Sequence, residues 1–529
     1  MKTTAKILML IPLLAMGLTA CGGGKSTSVA TSSEAPKSSE TPTSSENPSS
    51  TSEAESEAES ESEATSQSTS KTEVKNVTVK FWHTFGQTIV EGLNAKIEQF
   101  EKAVKENEGI DVDVQLIYQG GYDDIAKKIR DGYSVNNKPT IAVAYPDHIA
   151  DYLQIAQNDG EEFVVNLDKF IDDKTVGFGT EAYLGDKEGK DDFVEEFFSE
   201  GSAHIVDGTY SLPYMKSTEI MFYNLDLLIE AFKYFKPEFE SSESKITTYM
   251  RDISWNDFLD LAECINNHKT DISNMLEVPF WYDSDANFFI TKMYQNNIPF
   301  SSINNNGKGQ IDFSSGEAFN DTVSMLTDLQ TAYNKGLFTT KGIKNTYGSD
   351  FFTGEKCVFS IGSSGGSGYN FPKADDFRLG VCRVPASNDN PIYVSQGPTL
   401  ALFSDNGLSD EVNEATQLYA WKFMKYITNG QTNAELCIAG SEGYVPVRYS
   451  AYETKYFQQF MAQGEKYAQC YKVVVDDINA EGGYLVTPCF KGSADLRDEC
   501  GTLLTAALRG DDTIEKLVKK AIDNALLHM

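Results

Sequence analysis

Positive charge is scarce in this chain. Across 529 residues, 45 Lys and Arg stand against 78 Asp and Glu, a formal net charge of −33. A surface that acidic repels phosphate backbones and anionic lipid alike, which excludes nucleic acid as a partner and direct adhesion to a membrane surface. Histidine is rarer still. His83, His148, His204, His268 and His528 are scattered, and none falls in an HExxH or comparable spacing, so no metal site is written in the sequence. The eight cysteines include no CxxC pair, and the seven beyond Cys21 (Cys264, Cys357, Cys382, Cys437, Cys470, Cys489 and Cys500) are odd in number, so at least one stays unpaired. The apolar run from Ile7 to Ala20 falls short of the about 20 residues that a membrane span needs.

That short run is informative for another reason. Lys2 and Lys6 precede it, and Leu18-Thr19-Ala20-Cys21 ends it with small residues before a thiol, the pattern of a secretory signal over residues 1–20. The segment resembles the bacterial lipobox, in which cleavage leaves the cysteine first and acylated. The resemblance implies a chain lipid-anchored at Cys21 to the outer face of a membrane, with everything after it outside the cell. An ordinary signal peptide with a chance cysteine is the alternative. Residues 21–73 follow as a tract of Ser, Thr, Ala and Pro, with ten glutamates against Lys25, Lys37 and Lys71. Such a composition cannot bury enough apolar surface to offset the entropy of ordering, so it predicts a disordered, self-repelling tether.

From residue 74 to 529 the chain is long enough for two or three cores. Strand and helix patterns alternate, the mark of α/β architecture with crossover helices. Val77 to Trp82 reads as a strand, Leu93, Ile97, Phe100 and Val104 recur at helical spacing, and Val112, Val114 and Leu116 alternate as a second strand. Asp123 is placed to cap a helix whose buried side is Ile125, Ile129 and Tyr133, before a third strand from Ile141 to Ala144. Ligands of open α/β sheets sit beyond the carboxyl ends of strands, which directs attention to the loops His83–Gln87, Tyr118–Tyr122 and Tyr145–His148. Extended segments return at Tyr210–Asn224, Cys357–Ile361, Leu379–Val384 and Tyr393–Phe403, between helical stretches that include Trp421, Met424 and Ile427 and, last, Ile514, Leu517, Ala521 and Ala525. Two lobes joined by several crossings are expected.

Seven motifs in order resemble family 1 extracellular solute-binding proteins of ABC importers. They are FWHTF at Phe81, YQGGYDDIAKKI at Tyr118, PTIAVAYPD at Pro139, SLPYMKSTEIMFYN at Ser211, SWNDF at Ser254, FFTGEKCVFSIGSSGG at Phe351 and GYVPVRYSAY at Gly443. Within that family the pattern is most similar to the glycerol-3-phosphate and sugar-binding type. The resemblance implies a bilobal α/β fold of the periplasmic-binding-protein type II class, with two lobes around a ligand cleft and a multi-strand hinge. Residues 74–214 plus 356–399 are expected to form the first lobe, and 215–355 plus 400–529 the second. The implied role is capture of a small solute (a sugar, polyol or glycerol phosphate) by a monomer, and its delivery to ABC permease subunits, with no reaction and no cofactor. Carried over by motif position, Tyr122, Ser217, Ser364, Gly397, Tyr444 and Arg497 fall where glycerol-3-phosphate binders hold their ligand. Hydroxyls and a backbone N–H there would satisfy ligand oxygens, and Arg497 would offer a planar fork to an anion. Trp82 and Trp281 are candidates for stacking beneath a ring. Where those binders place a carboxylate after the third strand, this chain has Pro146 followed by Asp147, which opens the polyol end to other solutes.

Other classes were weighed on their residues. Gly362-Ser363-Ser364-Gly365-Gly366 fits the G-x-S-x-G pattern of an ester hydrolase, but only His528, next to the last residue, follows it. Gly24-Lys25-Ser26 has Thr19 where a phosphate loop needs glycine. Carboxylate pairs such as Asp191-Asp192 and Glu195-Glu196 are what this charge makes common, and they single out no glycosidase dyad. A secreted carbohydrate-active or ester hydrolase and a cell-surface adhesin remain the alternatives to a solute receptor.

Overall fold

The computed structural model describes residues 74–529 apart from 136, 156–161, 374–375, 388–389, 441, 465 and 479–482, and apart from the side chains of 476–478. Cys21, the signal and the tether lie outside the described residues.

Two five-stranded sheets organise this body. The first runs in the order β2 (Asp111–Tyr118), β1 (Asn76–His83), β3 (Ile141–Ala144), β13 (Thr399–Leu402), β4 (Leu212–Pro213). Strands β2, β1 and β3 are parallel, with Val77 opposite Val112 and Phe81 opposite Ile141, while β13 runs antiparallel to both β3 and β4. β1 begins as an alternating strand with Val77 and Val79 inside and Thr78 and Lys80 outside, then buries Phe81, Trp82 and His83 in succession where both faces are covered. The helix Gln87–Glu108 covers one face through Ile89, Leu93, Ile97, Phe100 and Val104. In the helix Tyr122–Gly132 the cap is Gly121 rather than Asp123, because the Asp124 carboxylate reaches back to the Gly121 N–H at 2.8 Å. Tyr133 follows that helix and packs against Phe163 instead of continuing its buried side.

The second sheet runs β11 (Leu379–Arg383), β5 (Glu219–Asn224), β10 (Phe359–Ser363), β6 (Phe280–Tyr282), β9 (Phe338–Thr340). β5 is antiparallel to both its neighbours, and β10, β6 and β9 are parallel. Every residue of β5 is buried, as befits a strand covered on both faces. A hairpin of β7 (Ser301–Ile303) and β8 (Gly309–Ile311) and a short parallel ladder of β12 (Tyr393–Val394) with β14 (Tyr484–Leu485) complete the strands of this lobe.

This strand order corrects the expected lobe boundaries. Residues 356–399 do not go with the first lobe: β10 and β11 flank β5 in the second sheet. Nor does 400 onward open the second, because β13 sits between β3 and β4, and the helix Asp410–Thr428 packs Trp421, Met424 and Ile427 into the first core. Ala434 and Ile438 already pack on the second core, the chain stays with it from Val445, and its last helix buries Ile514, Val518 and Ala521 there. Besides an excursion in which Phe193, Val194 and Phe197 pack on the second core, it therefore passes between lobes near 214–219, 394–399 and 440–445. These crossings are tied to one another. Ser217 and Gln396 exchange backbone hydrogen bonds of 3.0 and 2.8 Å, and Lys216 and Val445 exchange bonds of 3.1 and 2.7 Å. Gly397, at φ +90°, lies against the backbone of Met215, where a Cβ would come within 2.2 Å of a carbonyl oxygen.

The first lobe also carries a buried ionic cluster. Lys422 pairs with Glu108 at 2.7 Å and Glu181 at 2.9 Å, and Lys425 pairs with Asp186 at 3.0 Å and with Glu181. The seven cysteines beyond Cys21 are free thiols, six of them buried. Among the described residues no helix is long and apolar enough to cross a membrane.

Candidate functional site

Strand ends of both sheets face one another across a cavity of about 220 Å³. From the first lobe, β3 ends at Ala144 and the chain turns at once into the helix Pro146–Ile155, with proline at the first helical position, where no N–H is missed. That turn puts Tyr145, Asp147 and His148 on the cavity wall, with Asp123 beside them. From the second lobe, β6 ends at Tyr282 and the helix Asp285–Gln295 begins. Ser284 caps it by accepting the Asn287 N–H at 3.2 Å, and both residues line the opposite wall. The hinge residue Gln396 forms the back, and Arg497 and Asp498 close the second wall from the helix Ser493–Arg509.

Arg497 reaches across this gap. Its Nε lies 3.3 Å from Asp147 Oδ2, so one ion pair joins the two lobes inside the cavity. Burial pushes the Asp147 carboxyl up, but Arg497, His148 and the backbone N–H groups of His148 and Asp147 outweigh it and hold the group below the usual carboxylate range. Burial acts on Arg497 in the opposite sense and is outweighed by Asp147, which leaves the guanidinium above its ordinary value. Nearby, the Gly492 N–H donates to Asp151 at 3.2 Å, a second link between the same two helices. Arg497's helix is itself fixed by Asp285, whose carboxylate accepts from Thr505 at 2.8 Å, Thr340 at 2.7 Å and the Gly342 N–H at 2.8 Å.

Three tyrosines gather on the first-lobe side. Tyr122 and Tyr145 have ring centroids 4.4 Å apart, and burial followed by the neighbouring Tyr145 and Tyr444 drives the Tyr122 phenol well above its ordinary range. Behind the second wall, Tyr282 donates to Glu219, whose carboxyl is pushed up to about 8 by burial and so keeps its proton at neutral pH.

Of the residues singled out by sequence, Asp147 and Arg497 line the cavity directly, and Tyr122 and Tyr444 stand in the tyrosine group beside it. Ser217, Ser364 and Gly397 belong to the hinge. Ser217 Oγ contacts Ser363 Oγ at 3.3 Å, and Ser364 Oγ accepts the Thr218 N–H at 3.3 Å with the side chain fully buried. The tryptophans depart from expectation. Trp82 is 3% exposed in the first core, and Trp281 is 0% exposed in the second, covered by Phe351 at 4.4 Å and by Gly348, so neither presents a face to a ligand. Sequence reasoning passed over Tyr145, His148, Ser284, Asn287 and Gln396. Tyr145 and His148 lie in a loop already marked as following a strand, and the Ser284-to-Asn287 cap after an apolar strand was a readable signal.

The arrangement can grip a hydroxyl-rich solute. A carboxylate and a guanidinium already engaged with each other present acceptors and donors, amides of Asn287 and Gln396 offer both, and a tyrosine lies to one side. Among the cavity-lining residues Asp123, Asp147 and Asp498 outnumber the single Arg497, so the charge is net negative.

Comparison with known proteins agrees on the architecture. No curated protein matches the chain by sequence. The sugar-binding protein MalE of Xanthomonas citri superposes with TM-score 0.60 at 16% identity, over 85% of this chain and 97% of that one. The GacH receptor of Streptomyces glaucescens, solved unliganded and with acarbose, gives 0.58 at 17% identity over 86% and 98%. UgpB of Mycobacterium tuberculosis, in complex with glycerophosphocholine, gives 0.58 at 16% identity over 85% and 97%. Residues 95–463 match the bacterial extracellular solute-binding protein family, and the chain belongs to that family.

Proposed function

We propose that this protein is the solute-capturing component of an ABC importer, lipid-anchored at Cys21, taking a neutral, hydroxylated solute of the sugar or polyol class into the interlobe cavity and handing it to the permease without reacting on it. The observation that carries this reading is the Asp147–Arg497 pair, one partner from each lobe, at the wall of a cavity backed by a three-segment hinge. A solute that hydrogen-bonds to both walls favours the closed arrangement by its differential affinity, and the closed shape is what a membrane partner can recognise. A phosphate is less suited than a sugar, because Arg497 is already paired and the other charges lining the cavity are carboxylates. The structural neighbours noted above, a sugar-binding protein, a receptor solved with acarbose and a protein in complex with glycerophosphocholine, support the solute class. Against a hydrolase, Ser364 is buried with its hydroxyl held by Thr218, and His528 lies against Asp495 at 3.6 Å.

A thermal-shift screen of neutral saccharides, polyols and glycerophosphodiesters tests the proposal. A cognate solute at 100 times its dissociation constant should stabilise the fold by about 2.7 kcal/mol. Turnover of an ester or glycan, with no solute shifting the melt, would replace the receptor with an enzyme.

A further inference from the structure

The cleft does not end at the Asp147–Arg497 pair. On its other side lies an inner chamber of about 30 Å³. Tyr145, Asp147 and Arg497 line this chamber as well as the outer cavity, so the pair stands as a partition between the two. Glu200, Lys216, Ser395 and Thr487 give the chamber its polar lining, and Ile290 and Leu485 its apolar one. A further space of about 20 Å³ adjoins it at Thr487 and Cys489, which line both. We propose that the inner chamber is a specificity subsite for the hydroxymethyl arm of a hexose-type sugar whose ring stays in the outer cavity, an inference that rests on the solute reading above.

Size is the first argument. A space of about 30 Å³ exceeds the roughly 10–15 Å³ that a single water needs, and it admits one carbon with its hydroxyl but not a pyranose ring. Charge is the second. The buried Lys216 and Glu200 pair at 2.6 Å, and Lys216 also donates to the Gly397 carbonyl at 3.3 Å. Asp147 is engaged with Arg497 on the facing side. Among the described lining residues, each cation thus has an anion beside it, which suits a neutral dipole better than an ion. Burial, and then Asp147, push the Cys489 thiol well above its ordinary range, so it adds no charge.

Hydrogen bonding is the third. Ser395 Oγ is buried without a hydrogen-bond partner, and so is Oε1 of the next residue, Gln396, which lines the outer cavity. A primary alcohol entering the chamber gives Ser395 a partner while its methylene lies against Ile290 and Leu485. At 3.3 Å the Arg497–Asp147 contact is longer than the roughly 2.7–2.9 Å of a tight charge-assisted hydrogen bond. A sugar hydroxyl that donates to Asp147 and accepts from Arg497 improves on it as the arm passes. A pentopyranose has no such arm and leaves Ser395 unmet.

Sugars matched except for this arm are the probes: D-glucose with D-xylose, D-galactose with L-arabinose, and D-mannose with D-lyxose. Titrated calorimetrically into the full chain, the hexose of at least one pair should bind about tenfold or more tighter than its pentose. Cys489→Met, which fills the inner space, should bring that ratio close to one and leave the pentose affinity as it was. Ser395→Ala, which removes one hydroxyl and fills nothing, should reduce the ratio several-fold without lowering the melting temperature. If solutes bind but no hexose outranks its pentose, or if the ratio survives in both variants, the subsite is overturned and the receptor stands. If no saccharide, polyol or glycerophosphodiester shifts the melt at all, the receptor reading fails and takes the subsite with it.

Discussion

Two cavities of the molecule differ in construction and in what they ask of the protein. The cleft is walled by both lobes, carries Asp123, Asp147 and Asp498 against Arg497, and places Arg497 in an ion pair that spans the gap. A second cavity of about 450 Å³, between β11, the end of the helix Glu243–Arg251 and the helix Lys466–Ile478, is walled by the second lobe alone, and there Asp252 accepts from both Arg251 and Arg383. A site between moving bodies selects for shape and hydrogen bonding, because its charges must satisfy one another when it shuts. A cavity within one lobe keeps its walls whatever the lobes do.

The largest effect that would sharpen this contrast is expected at Arg497. Arg497→Ala leaves Asp147, 6% exposed, without its partner and should cost cleft affinity about 3 kcal/mol, the low end for a broken buried pair because the guanidinium side chain is 28% exposed. Adding Asp147→Asn should restore part of that loss in a double-mutant cycle. An equal loss in unfolding stability would mean that Arg497 supports the fold and not the cleft.

Next in size is Asp285. Its bond from Thr505 ties the two second-wall helices together, its bonds from Thr340 and Gly342 tie them to the end of β9, and Asp285→Ala should lower stability by about 2 kcal/mol. Denaturant unfolding measures that directly, and calorimetry should show the cleft weakened.

Glu219 gives a smaller effect of opposite sign. Burial pushes its folded-state pKa to about 8, above the ordinary carboxylate range, so the folded protein binds the extra proton, and stability from this group is full below that range and lost as pH rises through about 8. Glu219→Gln keeps an acceptor for Tyr282 and removes the penalty, which should raise stability at pH 8 by about 1 kcal/mol and flatten the melting temperature between those limits. Asp147 titrates in the other direction: its depressed pKa means that the latch is present at neutral pH and is lost on acidification below the ordinary carboxylate range, with cleft affinity falling in step.

The smallest effect is on salt dependence. Binding of a neutral sugar in the cleft should change little as salt rises from low to physiological concentration. A steep fall with salt would mean that the cleft takes a charged solute instead.

Much of this architecture could be read before any coordinates. The alternation of Val77, Val79 and Phe81 and the spacing of Leu93, Ile97, Phe100 and Val104 announce a strand and a helix because each has one buried side. The loop rule for α/β sheets led to Tyr145–His148, which forms the cleft wall. Lobe membership was not legible, since nothing in β10 or β13 as isolated apolar runs says which neighbour they will pair with. The tryptophans misled for a related reason. Trp82 follows Phe81 and precedes His83 in a stretch buried on both faces, where period-two reasoning no longer separates inside from outside. Asn287 and Gln396 face the cavity only because the hinge and the end of β6 bring them there, and a single amide in a sequence carries no sign of that.

The interleaved path of the chain has a consequence for how the molecule comes into being. β13, the strand between β3 and β4, is not synthesised until Thr399–Leu402, and the second core still awaits the helices that end at Leu526. No contiguous stretch shorter than most of the chain can complete either sheet and its covering layers. Long-range pairings of this kind form slowly. The molecule therefore acquires its shape only once nearly all of the chain is present.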